Sequence, residues 1–576
     1  MFFNRVSYKT LVLLAVSILV RLATGVDVQG SELGEVKFPT STESKEAQAH
    51  FLRGVAALHS FWYPVALDEF RQSTRIEPGF MMGYWGEAMA HNHPVWGDPQ
   101  ETEAAREVLL KIKDKPTLTP REKAYLGAVK ILFGAGDNKG ARDRAYAEAM
   151  EKIYQEYSGD LEAASFYALA LLGTIRPDDP AALRTRMLAA AIAEEVYRKE
   201  PSHPGAVHYI LHAFDDPDHA ILALPAARRY AEIAPEAPHA LHMPSHIFLQ
   251  LGMWPETAAS NEDSWAASTK WVEQKNLPIS KRDYHSLHWL LYAYLQQGRY
   301  GEAEKQLTLM QKSLTEGPKD DQFFMGYGTF IYASMAAALV VETERWGMAE
   351  KLFETLQKNP ALTSLAGKPG SYRSLAQYIL ALGIFTRGLA AAHEGLPGAQ
   401  KSIDDLQAME EQVGKETLPS VGVSLSKVLE IQRLEIAAVS NAAKGKMDES
   451  IKNMEKATAL EESVLPPPGP PPLIKPSHEL FGEILLQSKR PREAEEQFKT
   501  ALLRQPNRAR SLLGIARAAA RRGDLEDAAA AYSKFLLQWQ KADTHLPELH
   551  EAHKLSKLAN ARWVLPHYES QLRRQK

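Results

Sequence analysis

A 34-residue offset maps part of this chain onto itself. Shifted by 34 positions, Pro201 falls on Pro235, Pro204 on Pro238, His208 on His242 and His212 on His246. That period is the length of two antiparallel helices and their turns. One such pair cannot bury its apolar face alone, so neighbours must stack along an axis. The expected fold is therefore all-α: a solenoid of antiparallel helix pairs forming a right-handed superhelix. The two matching copies are also rich in one side chain. Seven of the 19 histidines, His203, His208, His212, His219, His239, His242 and His246, lie within them.

A solenoid also accounts for the length. A chain of 576 residues is too long for one compact core, whereas a stack of repeats grows without outgrowing its core. The net charge of −4 gives no reason to expect nucleic acid as a partner. Arg5 and Lys9, the apolar run at residues 11–20 and the small residues Ala23-Thr24-Gly25 read as an export signal. The run is shorter than the roughly 20 residues that span a bilayer, so no membrane span is expected once the signal is cleaved. The chain has no cysteine, and its stability must come from packing. A periplasmic or secreted protein is the expectation.

Five segments follow in order: a signal peptide at 1–25, a flexible leader at 26–44, the main helical solenoid at 45–463 with its histidine-rich repeats at 202–298, a strap at 464–475, and a closing pair of repeats with a capping helix at 476–576. The strap, Leu465-Pro466-Pro467-Pro468-Gly469-Pro470-Pro471-Pro472, cannot be helical and favours an extended conformation. The first repeat carries Gly54, Ala66, Phe70 and Pro78. The closing repeats carry Gly482, Ala494, Phe498 and Pro506, then Gly514, Ala528 and Tyr532. This spacing of small, small, aromatic and proline residues is the tetratricopeptide pattern. The basic stretch at 489–522 reads as a solvated end face of the stack.

The stretches HPGAVHYILHAFDDPDHA from His203, APHALHMPSHIFLQLGMW from Ala237, YWGEAMAHNHPVW from Tyr84 and KPSHELFGE from Lys475 resemble those of bacterial tetratricopeptide-repeat proteins. Vertebrate tetratricopeptide repeat protein thirty-eight is similar at greater distance. The resemblance implies an α-helical solenoid over nearly the whole chain beyond the signal.

The histidines point to a site. Pro204 and Pro238 suit the first position of two helices. His208 and His212 are then i and i+4 on one helix, and His242 and His246 are the same on the next. These four are the primary candidates to hold a divalent transition metal, zinc, copper or iron, because imidazole suits all three and no thiolate is present. His239, His285, Asp215, His59, Glu87, His93, His478 and Glu479 are secondary candidates. The carboxylates could orient ring nitrogens, and His59, Glu87 and His93 reach the same groove only if the superhelix curls tightly. Pro244, between His242 and His246, should interrupt their helix. Large aromatics such as Phe61 and Trp254 are expected in the core between helices. No His-Glu-x-x-His, phosphate loop or Gly-x-Ser-x-Gly elbow occurs.

Two functions fit. The first is an exported solenoid that binds a peptide or protein partner in its concave groove. The second is a metal-dependent enzyme, hydrolytic or oxidative, or a metal-binding protein using the histidine cluster.

Overall fold

The computed structural model describes residues 32–556, apart from 96–99, 137, 177–178, 358–361, 363–364, 366–370, 415 and 419–422. The signal segment and the start of the leader lie outside the described residues. From Leu33 onward the leader is packed rather than free. Leu33 and Phe38 are fully buried, and Glu35 N–H donates to the Ser202 carbonyl at 3.0 Å. Burying two large apolar side chains offsets the cost of ordering this stretch.

The chain is an all-α solenoid of antiparallel helix pairs. The pairs that build the site are Lys45–His59 with Tyr63–Ile76, Pro204–Ala213 with Ala220–Ile233, and Tyr284–Gln296 with Tyr300–Glu316. Between the last two sits a split unit: Pro238–His242 and Pro244–Gln250, followed by Trp254–Gln274. The prolines expected to start helices do so, at Pro204 and Pro238. Pro244 lacks an N–H and begins a second short helix. Met243 keeps right-handed helical angles, φ −55° and ψ −34°, so the axis continues across the break.

The repeat glycines make room for aromatic wedges. A Cβ on Gly482 or Gly514 would come within 2.7 or 2.4 Å of the Phe498 ring, so two helices close on that ring only because both lack a side chain there. Two helices, Gln322–Thr343 and Tyr372–His393, are long and apolar enough to cross a membrane. Most of the apolar length of each is packed inside the fold.

The stack does not stay open. Its closing repeats return to the central ones: Trp254 Nε1–H donates to the Asn507 carbonyl at 2.9 Å, and Asp543 N–H to that of Gly298 at 3.0 Å. The basic end face is therefore only partly solvated. Arg508 is fully buried, with Glu479 at 2.8 Å and Glu342 also against its guanidinium, and Arg510 pairs with Glu344 at 2.7 Å. A guanidinium so deep must be paired; Glu479 comes from the preceding closing repeat, and Glu342 from a helix 166 residues earlier.

Candidate metal centre

The histidines of the repeat converge, but as two groups of three. His208, His212 and His239 offer nitrogens within 4.8 Å of one another, and so do His242, His246 and His285. In the first group His208 Nε2 lies 3.0 Å from His212 Nε2 and 3.1 Å from His239 Nε2. In the second, His242 Nε2 lies 3.1 Å from His246 Nε2, and the His242 and His285 ring centres are 4.6 Å apart. The groups adjoin: ring centres of His212 and His246 are 6.4 Å apart, and those of His239 and His242 are 6.1 Å apart.

Each group takes an i, i+4 pair from one repeat and a third ring from the start of the next. The interface between successive repeats thus builds a triad, and it does so twice. The Pro244 break does not spoil the second pair, because the helical path through Met243 keeps His242 and His246 on one face. The four primary candidates are divided between the triads, and His239 and His285 complete them.

The other ring nitrogens say where the protons are. His208 Nδ1–H donates to the His59 carbonyl at 2.7 Å, an acceptor only. His246 Nδ1–H donates to Asp215 Oδ2 at 2.6 Å. His242 Nδ1–H donates to Asn261 Oδ1 at 2.7 Å, while the Asn261 amide donates to Thr257 and so fixes which way the side chain faces. A neutral imidazole has one N–H, so Nε2 of all three rings is a bare lone pair. His242 and His246 therefore point two lone pairs at each other across 3.1 Å. Only a cation relieves that: a proton, at the cost of a buried imidazolium, or a metal ion. Two nitrogens bound to one ion at about 2.0–2.1 Å stand roughly 2.9–3.4 Å apart, which matches the spacing.

Burial favours the neutral form of five of the six rings. It holds His208, His239, His242 and His285 well below the usual imidazole range, helped by neighbouring rings, and brings His212 down to about 3. His208 and His242 are fully buried, and His212, His239, His246 and His285 are partly open. Phe61 stacks on His212 and His239 at 5.7 and 5.5 Å and sets its edge on His208 at 4.4 Å. Its φ of +50°, unusual for a large side chain, turns the ring into the site. Phe61 was expected in the core, and its place against the first triad has no signature in the sequence. Trp289 covers the second triad, 4.2 Å from His246 and 5.0 Å from His242.

The remaining candidates divide by place. Asp215 orients His246 and also receives Gln250 Nε2–H at 3.3 Å. His59 belongs to a third group with Glu162 and His203. There Glu162 takes N–H bonds from His59 at 2.7 Å and His203 at 3.1 Å. The Tyr209 hydroxyl donates to His59 Nδ1 and Ala206 N–H to His203 Nδ1, so both rings use both nitrogens without a metal. Burial opposes the charge on Glu162, yet His203 and His59 hold its carboxyl well below the ordinary range. This group is a brace, and through the His59 carbonyl it sets the ring of His208. Glu87 pairs with Arg71, His93 lies against Tyr63, and His478 bonds Gln497. Glu479 is held by Arg508 and Lys475. These four lie outside the two triads.

Residues 480–543 match the tetratricopeptide repeat family model. No curated protein sequence matches the chain. Among solved structures, the chain is similar to yeast Tom70, at 12% identity and a TM-score of 0.32, covering 90% of each chain. It is also similar to Ypp1, at 10% identity and a TM-score of 0.45, covering 91% of this chain and 84% of that one. A human IFIT1 dimer crystallised with m7Gppp-AAAA aligns at 11% identity and a TM-score of 0.36, covering 94% and 96%.

Proposed function

We propose that this is an exported metalloprotein whose central repeats hold two transition-metal ions side by side, one per histidine triad, and that it is a metal-dependent enzyme. The observation that carries the reading is the facing pair of bare nitrogens on His242 and His246, with His285 completing the group and Asp215 and Asn261 fixing the tautomers. Each ion would have three imidazoles and a free position, the arrangement of a catalytic rather than a structural site. The part-open rings give a substrate access to both ions.

The test is metal analysis of full-length protein purified without a histidine tag. Two equivalents per chain are expected. His212→Ala and His285→Ala should each lose one equivalent, from different triads. Metal-free wild type, or a single equivalent lost by both variants together, would overturn the pair of sites.

A second reading is favoured by the tetratricopeptide match at 480–543: repeats of this class support a surface for a peptide or protein partner. The two readings are compatible, because the histidine triads lie in the central repeats and the tetratricopeptide match lies at 480–543.

A further inference from the structure

The proline strap shows on what kind of surface this chain holds a proline-rich segment. Gly469 and Pro471 of the strap are buried. Gly469 lies so close to Trp289 that a Cβ there would come within 2.4 Å of the indole. The Tyr378 hydroxyl donates to the Pro472 carbonyl at 2.7 Å, and Gln250 Nε2–H donates to that of Pro467 at 3.1 Å. A proline has no N–H, so it offers a carbonyl acceptor and a compact apolar ring. Side-chain donors and aromatic rings meet both.

The aromatic surface does not end with the strap. From Tyr378 a row of rings runs outward along one face of the helix Gln322–Thr343. Phe330 stands 6.1 Å from Tyr378, Tyr327 6.0 Å from Phe330, and Phe323 5.6 Å from Tyr327, the last two rings within 19° of parallel. The three on that helix are spaced i, i+4 and i+7, which keeps them on one side. Exposure rises along the row: Tyr378 is buried, Phe330 and Tyr327 are half-buried, and Phe323 is 56% exposed. Contiguous open rings are the mark of an interaction surface. The Tyr327 hydroxyl lies 3.2 Å from His285 Nδ1, so the row also passes beside the second triad.

Building on the partner-binding reading, and independently of any metal, we propose that this row docks a proline-rich segment of a partner protein, held in the extended polyproline conformation beside the strap. The spacing suits such a segment. A polyproline helix advances about 3.1 Å per residue, so rings about 6 Å apart fall two residues apart along it. The segment is extended before it binds and loses little freedom on docking, which lets a few rings hold it. The chain's own strap covers the inner end of the same surface, at Trp289 and Tyr378, and Phe323 stands open at the outer end.

The full-length protein and a fluorescein-labelled peptide of the strap's own sequence, Pro-Pro-Pro-Gly-Pro-Pro-Pro, test this by fluorescence anisotropy. The same peptide with serine at every proline is the control. The expected result is saturable binding of the proline peptide and none of the serine one. Phe323→Ser, at an exposed position, should weaken binding by at least about 10-fold, and Phe323→Tyr, which keeps the ring, by less than about 2-fold. Equal binding of the two peptides, no binding of the proline peptide, or a proline peptide held as tightly by Phe323→Ser as by wild type would each overturn the proposal. A library of random-sequence peptides separates its failure from that of the partner reading: a proline-free ligand would keep the reading without the proline site, and no ligand at all would overturn both.

Discussion

A single carboxylate sets the second triad apart from the first. Asp215 accepts from His246 at 2.6 Å, whereas in the first triad His208 donates to a neutral backbone carbonyl. Replacing an orienting carboxylate costs about 10–100-fold in metal affinity. Asp215→Asn should therefore weaken the second triad's binding step by that factor in a competitive metal titration and the first, which Asp215 reaches only through space at His212, by less; equal loss at both steps would contradict the separate triads. Away from the site, Glu435 is buried and accepts from the Ser477 hydroxyl at 2.8 Å. Burial pushes its carboxyl well above the ordinary 4.5; the Ser477 bond opposes this and Glu461 adds to it. The folded chain then binds a proton that the unfolded chain has lost, so the associated stability is full below about 4.5 and is lost as pH rises through the raised value. Glu435→Gln keeps an acceptor for Ser477 and has no charge to bury. Its melting temperature should exceed that of wild type at pH 8 and converge with it near pH 4. A constant gap across that range would refute the assignment.

At the scale of helices, much was legible in the sequence. The 34-residue offset, the prolines at 204 and 238, and the glycine–aromatic spacing each depend on local backbone geometry, which neighbouring residues dictate. The i, i+4 pairs follow from helical periodicity alone. How those pairs group does not, because it depends on how far one repeat turns against the next. A 46-residue offset in the sequence marks His285: it lays that residue on His239 and lays Leu295-Gln296-Gln297-Gly298 on Leu249-Gln250-Leu251-Gly252. Both rings sit three positions before the histidine of the next register, His242 and His288. Read that way, the triad itself repeats. The series stops where Tyr292 stands four residues after His288, the place that His212 and His246 take in their own helices. The buried pairing of Arg508 had no such local signal. Of its partners, Glu479 lies 29 residues away in the neighbouring repeat, but Glu342 lies 166 residues away, and only the return of the closing repeats brings that carboxylate to it.

Over the whole molecule, the strap joins the histidine repeats to the later helices. Gln250, already bonded to Asp215, also donates to the Pro467 carbonyl at 3.1 Å, and the Tyr378 hydroxyl donates to that of Pro472 at 2.7 Å. Between them Gly469 lies on Trp289, where a Cβ would come within 2.4 Å of the indole. Gly469→Ala must displace either the strap or the ring that covers His246. The expected outcome is a weaker second triad and an unchanged first one, read by metal titration; full affinity at both would show that the strap bears no load on the site. All six histidines are read out between residues 208 and 285, long before the strap. In the proposed two-ion reading the ligands are complete before the strap arrives, and the strap covers a wall of the site, Trp289, rather than a donor. On that reading affinity and residence time belong to different parts of the chain: the histidines set how tightly an ion is held, and a distant proline segment sets how long it takes to leave.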